Sequence, residues 1–74
     1  MNNFNEILKD FRLSKGLTQK QLADLTNMTE RGIQRYESGE RKPNFDALLA
    51  LSNALDVSAD YLLGRSKNPD SHKL

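Results

Sequence analysis

Cysteine is absent from the 74 residues, so disulfides are excluded and a zinc site would need other ligands. The single histidine, His72, stands near the end among Asn68, Pro69, Asp70 and Ser71. That setting predicts a disordered tail rather than a metal or catalytic site. No apolar run approaches the roughly 18 residues that a membrane helix requires, and no basic-then-apolar leader opens the chain. A soluble protein of the cytoplasm with no membrane partner is expected. A large charge excess is lacking too. Lysine and arginine number 11 against 10 aspartates and glutamates, a net of +1. The first 43 residues hold eight positive and six negative side chains, and the last 31 hold three and four. This is not the profile of a nonspecific nucleic-acid coat, so charge that serves a polyanion must be placed rather than abundant. Without a cysteine, a usable histidine, a phosphate loop or a carboxylate cluster, the chain offers no catalytic residue, no metal ligand and no cofactor site. It is not expected to be an enzyme.

Strand-like alternation, repeats and low-complexity segments are also missing, and proline occurs only at Pro43 and Pro69. What remains is helical patterning. Phe4, Ile7, Leu8 and Phe11 follow the i, i+3, i+4, i+7 spacing of an amphipathic helix, which should end at Gly16. Thr18 with Gln21 three residues on forms a capping box that opens a second helix carrying Leu22, Ala23 and Leu25. Ala23 suggests a close approach to a neighbour. Asn27 and Met28 make a short turn. Thr29 caps a third helix that ends at Gly39. Residues 40–43 form a loop, because Pro43 disfavours helix at Lys42. Asn44 caps a fourth helix with Phe45, Leu48, Leu51 and Leu55 facing inward, and Ser58 caps a short fifth that ends at Gly64. One all-α domain over residues 1–65 is predicted, followed by a polar tail over residues 66–74. A domain this small buries a small core and has little stability to spare.

The third helix carries the chemistry. At about 100° per residue, Thr29, Ile33, Tyr36 and Glu37 fall on one side of "TERGIQRYESG". Arg31, Gln34 and Arg35 fall on the other, flanked by Glu30. Two short helices joined by a tight turn, the second exposing polar groups, describe a helix-turn-helix. Arginine can donate twice to guanine O6 and N7, glutamine can pair with adenine N6 and N7, and a glutamate can accept from cytosine N4. A merely solvated face would carry similar residues.

Residues 17–39, "LTQKQLADLTNMTERGIQRYESG", resemble the helix-turn-helix of the lambda-repressor-like family, the Cro/cI or XRE type. The resemblance rests on Leu17, Thr18-Gln19, Leu22-Ala23, Met28, Thr29, Ile33 and Glu37-Ser38-Gly39. It extends to Arg12, Lys42-Pro43, Leu55, Val57-Ser58 and Tyr61-Leu62-Leu63, covering residues 4–64 in all. It implies a compact five-helix fold with the helix-turn-helix formed by helices two and three, and the third helix in the DNA major groove. It assigns base contacts to Thr29, Glu30, Arg31, Gln34 and Arg35. It assigns backbone contacts to Gln19, Arg41 and Lys42, with Ser38 and Asn44 as further candidates. Arg12 matches a helix-one arginine that pairs with Glu37. A carboxylate in the last turn opposes the helix dipole and calls for such a partner, so the pair is expected to be a structural clamp. Gly32 departs from the family's usual Ser or Thr. It is explained either by close approach to DNA or by a tolerant site.

One domain of net +1 makes few phosphate contacts and releases few counterions. A homodimer on a pseudo-palindromic operator would repair this, and the resemblance implies one. Phe45, Ala59, Leu62 and Leu63 are its candidate contacts, with core packing as the competing role. The functional expectation is a sequence-specific transcriptional regulator, a repressor of phage or mobile-element type. The alternative is a protein-interaction module, such as an antitoxin or coactivator, on the same fold.

Overall fold

The computed structural model describes residues 3–64. The tail expected over residues 66–74, His72 included, lies outside the described residues. Five helices follow in order: α1 Phe4–Ser14, α2 Gln19–Thr26, α3 Glu30–Ser38, α4 Phe45–Leu55 and α5 Ala59–Leu62. There is no strand among the described residues, and no helix there is long and apolar enough to cross a membrane.

Each helix begins where a short polar side chain satisfies an amide that the helix cannot. Asn3, Thr18, Thr29, Asn44 and Ser58 accept from the backbone N–H three residues on. Thr18 and Gln21 close a reciprocal box: Gln21 N–H donates to Thr18 Oγ1 at 3.0 Å, and Thr18 N–H to Gln21 Oε1 at 2.8 Å. Asn3 and Glu6 form a second box that the sequence reading did not assign. Helices end where the chain turns left-handed. Gly39 does so after α3 at φ 81°, a region where a side chain would be strained. Asn27 after α2 and Asp56 after α4 do the same without being glycine, at φ 58° and 56°. The Asn27 turn is closed by Met28 N–H donating to Ala23 O at 2.8 Å, which sets α3 across α2.

The core joins all five helices. Ile7 and Leu8 of α1 meet Leu22 and Ala23 of α2 and Ile33 and Tyr36 of α3. Ala47, Leu48, Leu51 and Leu55 of α4, Val57 and Leu62 complete it. Phe4 packs edge-on against Tyr36 at 6.3 Å between ring centroids, and Phe11 against Tyr61 at 5.3 Å. α3 rests on both α1 and α2, so the face of α3 that carries Ile33 and Tyr36 is fixed.

Two expectations are corrected. Phe45 is not inward: it is 71% exposed. The buried stripe of α4 runs through Ala47, Leu48, Leu51, Ser52 and Leu55, and Phe45 lies at its edge in the first turn. Leu62 is fully buried, so it is a core residue and not available for contact with a second copy.

Candidate nucleic-acid interface

Glu37 anchors the site from beneath. It is buried in the last turn of α3, where the helix carbonyls disfavour a negative charge. Arg12 supplies two bonds to it: Nε donates to Oε2 at 2.6 Å and Nη2 to Oε1 at 3.0 Å. Arg12 Nη1 donates in turn to the Leu17 carbonyl at 2.8 Å. The guanidinium therefore ties α1 to the segment before α2 and to the end of α3 at once. Gln19, at the start of α2, adds a third bond to the carboxylate, Nε2 to Oε1 at 3.1 Å. No buried polar side-chain atom among the described residues lacks a partner, as a closed network of this kind requires.

On the far side of α3, Glu30, Arg31 and Gln34 are exposed and Arg35 is half-buried. The side chains of Glu30, Arg31 and Gln34 make no hydrogen bond or ion pair with the described residues. Arg31, Gln34, Arg35, Ser38 and Glu40 together line a shallow hollow of about 250 Å³. Thr29 is exposed, and its Oγ1 accepts from Gly32 N–H at 3.0 Å, which leaves the hydroxyl proton free to donate. Arg35 Nε lies 3.3 Å from Glu40 Oε2, an ion pair that the sequence reading did not assign.

The other assigned residues fall around this face in different states. Arg41 and Lys42 are exposed in the loop after α3, with side chains free of partners among the described residues. Asn44 accepts from Ala47 N–H through Oδ1 at 2.8 Å, so its amide N–H₂ remains available. Gln19 keeps one amide hydrogen beyond the bond to Glu37. Ser38 differs. Its hydroxyl donates to the Arg35 carbonyl at 3.1 Å and accepts from Glu40 N–H at 3.3 Å, so its single proton is used within the free protein. Of the apolar candidates, Phe45 and Leu63 are exposed and Ala59 is half-buried against the core.

The sequence that folds into this short helix pair, its second helix locked below and polar above, matches the helix-turn-helix family model over residues 8–62. The chain belongs to that family. Over 65 residues this helix-turn-helix protein is 45% identical to the HTH-type transcriptional regulator YqaE of Bacillus subtilis strain 168, an alignment covering 88% of the chain and 56% of the relative. It is also 45% identical over 60 residues to the SPbeta prophage-derived HTH-type transcriptional regulator YonR of the same strain, covering 81% and 56%. The chain thus spans about half the length of these curated relatives. Among solved structures it is similar to the P22 c2 repressor protein in complex with a synthetic operator. The TM-score is 0.85 at 32% identity, covering 89% of this chain and all of that one. The all-α, five-helix architecture is that of such repressor DNA-binding domains.

Proposed function

We propose that this helix-turn-helix protein is a sequence-specific double-stranded-DNA-binding module of a cytoplasmic transcriptional regulator, acting as a repressor. α3 lies in the major groove, where Thr29, Glu30, Arg31, Gln34 and Arg35 face base edges. Gln19, Arg41, Lys42 and Asn44 hold the phosphates on either side, through one amide hydrogen, two cationic heads and one amide group. Such contacts set the register of α3 on the duplex and carry no sequence information themselves. Two copies bind half-sites of a pseudo-palindrome about one helical turn apart. Repression follows from occupying a promoter and excluding polymerase.

The observation that carries this reading is the contrast between the two sides of α3. One side is immobilised by Ile33, Tyr36 and the Arg12–Glu37 network. The other presents Arg31 and Gln34 without partners among the described residues, and Arg35 beside them. A rigid base under unpartnered, base-matching donors is what direct readout requires. Support also comes from the P22 c2 repressor, which is seen with a synthetic operator, and from relatives that are transcriptional regulators. A protein-docking module would offer apolar anchors on that face, and the exposed side of α3 has none.

Titrating duplex DNA into ¹⁵N-labelled protein tests the reading. Resonances of Gln19, residues 29–35 and residues 41–44 should move, while those of Leu13 and Asn53 stay. Shifts that spare α3 would contradict it.

A further inference from the structure

We propose that Glu40 is a positioning residue for base recognition, holding the Arg35 guanidinium by its Nε edge so that its two terminal nitrogens face the base. This rests on the DNA-reading function proposed above. In an uninterrupted helix, the side chains that meet residue i are at i+3 and i+4. Glu40 is five residues beyond Arg35 and would point elsewhere. The left-handed turn at Gly39, φ 81°, folds the chain back instead. The fold-back is tied to Arg35 itself: Arg41 N–H donates to the Arg35 carbonyl at 3.2 Å, and Ser38 bridges that carbonyl to Glu40 N–H. The turn therefore delivers the Glu40 carboxylate to within 3.3 Å of Arg35 Nε.

The consequence is chemical. A guanidinium is a planar fork of five N–H groups. With the Glu40 carboxylate paired to the Nε side by charge, 3.3 Å away and without a hydrogen bond, the end bearing Nη1 and Nη2 remains for the O6 and N7 acceptors of guanine. Arg31 and Gln34 line the same hollow as this pair, so Arg35 is oriented among the other readers. The pair is exposed, 42% and 65% at the two side chains, and an exposed pair adds little to folding. A carboxylate beside phosphates also weakens sequence-independent attraction. Glu40 thus favours discrimination in two ways. It orders a flexible arginine before binding, lowering the entropy lost on the base, and it lowers affinity for every other sequence.

The test begins with the duplex that the unmodified protein selects from a random pool. Glu40→Gln, Arg35→Ala and the double variant are then titrated against that duplex and its single-base-pair replacements at fixed salt. Glu40→Gln should melt like the unmodified protein and bind unrelated duplexes more tightly. It should lose up to about fivefold discrimination at the base pair where Arg35→Ala loses more, and the double variant should be no worse there than Arg35→Ala alone. Unchanged discrimination at that base pair in Glu40→Gln would overturn the positioning role while leaving DNA reading intact. If the unmodified protein selects no sequence at all, the functional reading fails and the positioning role fails with it.

Discussion

Glu37 sits where a helix least tolerates a carboxylate, and three donors compensate it: two from Arg12 and one from Gln19. Removing one partner of a buried ion pair leaves the other desolvated and unpaired, at about 3–5 kcal/mol. Arg12→Ala should therefore lose about that much in urea denaturation, a large part of the roughly 5–15 kcal/mol that a domain has. A loss within the range of ordinary surface changes would contradict the clamp. Gly32 is the second informative residue. A Cβ there would stand 3.1 Å from Thr29 Oγ1, crowding the hydroxyl that caps the helix. Alanine gains about 1 kcal/mol of helix propensity over glycine, and the displaced cap offsets it. Gly32→Ala should thus barely change stability alone, but should gain nearly the full increment in a Thr29→Ala background. Additive effects would exclude the crowding. The pairing of Arg12 with Glu37 was legible because dipole and resemblance pointed the same way. The link between Glu40 and Arg35 was not, since i+5 is no helical neighbour and only the Gly39 reversal creates it.

The helices themselves were legible to within a residue or two. Four of their caps, the Thr18–Gln21 box and the terminating glycines are local signals that tertiary structure had no reason to override. Asn3 with Glu6 is the same local signal and was legible on the same grounds. Phe45 was misjudged for a different reason: its i, i+3 spacing to Leu48 suggests an inward residue, but the buried stripe of α4 begins at Ala47 and leaves the Phe45 ring in solvent. α3 is where local structure becomes chemistry, and its substitutions should separate by kind. Arg31→Ala or Gln34→Ala should each lose about 1–3 kcal/mol of discrimination at one base pair, with melting unchanged because neither side chain has a partner among the described residues. Arg41→Ala or Lys42→Ala should weaken all duplexes alike and reduce the salt slope by about 1. Titrations across several salt concentrations distinguish the two patterns.

A net charge of +1 limits what the whole molecule can gain from phosphates alone. In the function proposed above, affinity comes from placed contacts and from two copies acting together. Phe45, the most exposed of the large apolar side chains among the described residues, is the natural test of that pairing. Phe45→Ser should leave thermal stability nearly unaltered, since the ring is in solvent. It should also convert cooperative binding of a two-half-site duplex, followed by fluorescence anisotropy, into independent binding of each half. Retained cooperativity would move the dimer surface elsewhere.

The most direct measurement is selection from a random duplex pool, run in parallel with a folded Arg31→Ala/Gln34→Ala/Arg35→Ala variant at equal salt. The unmodified protein should enrich a two-fold-symmetric site, and the variant should enrich none. Equal enrichment by both proteins, or by neither, would show that α3 does not read bases.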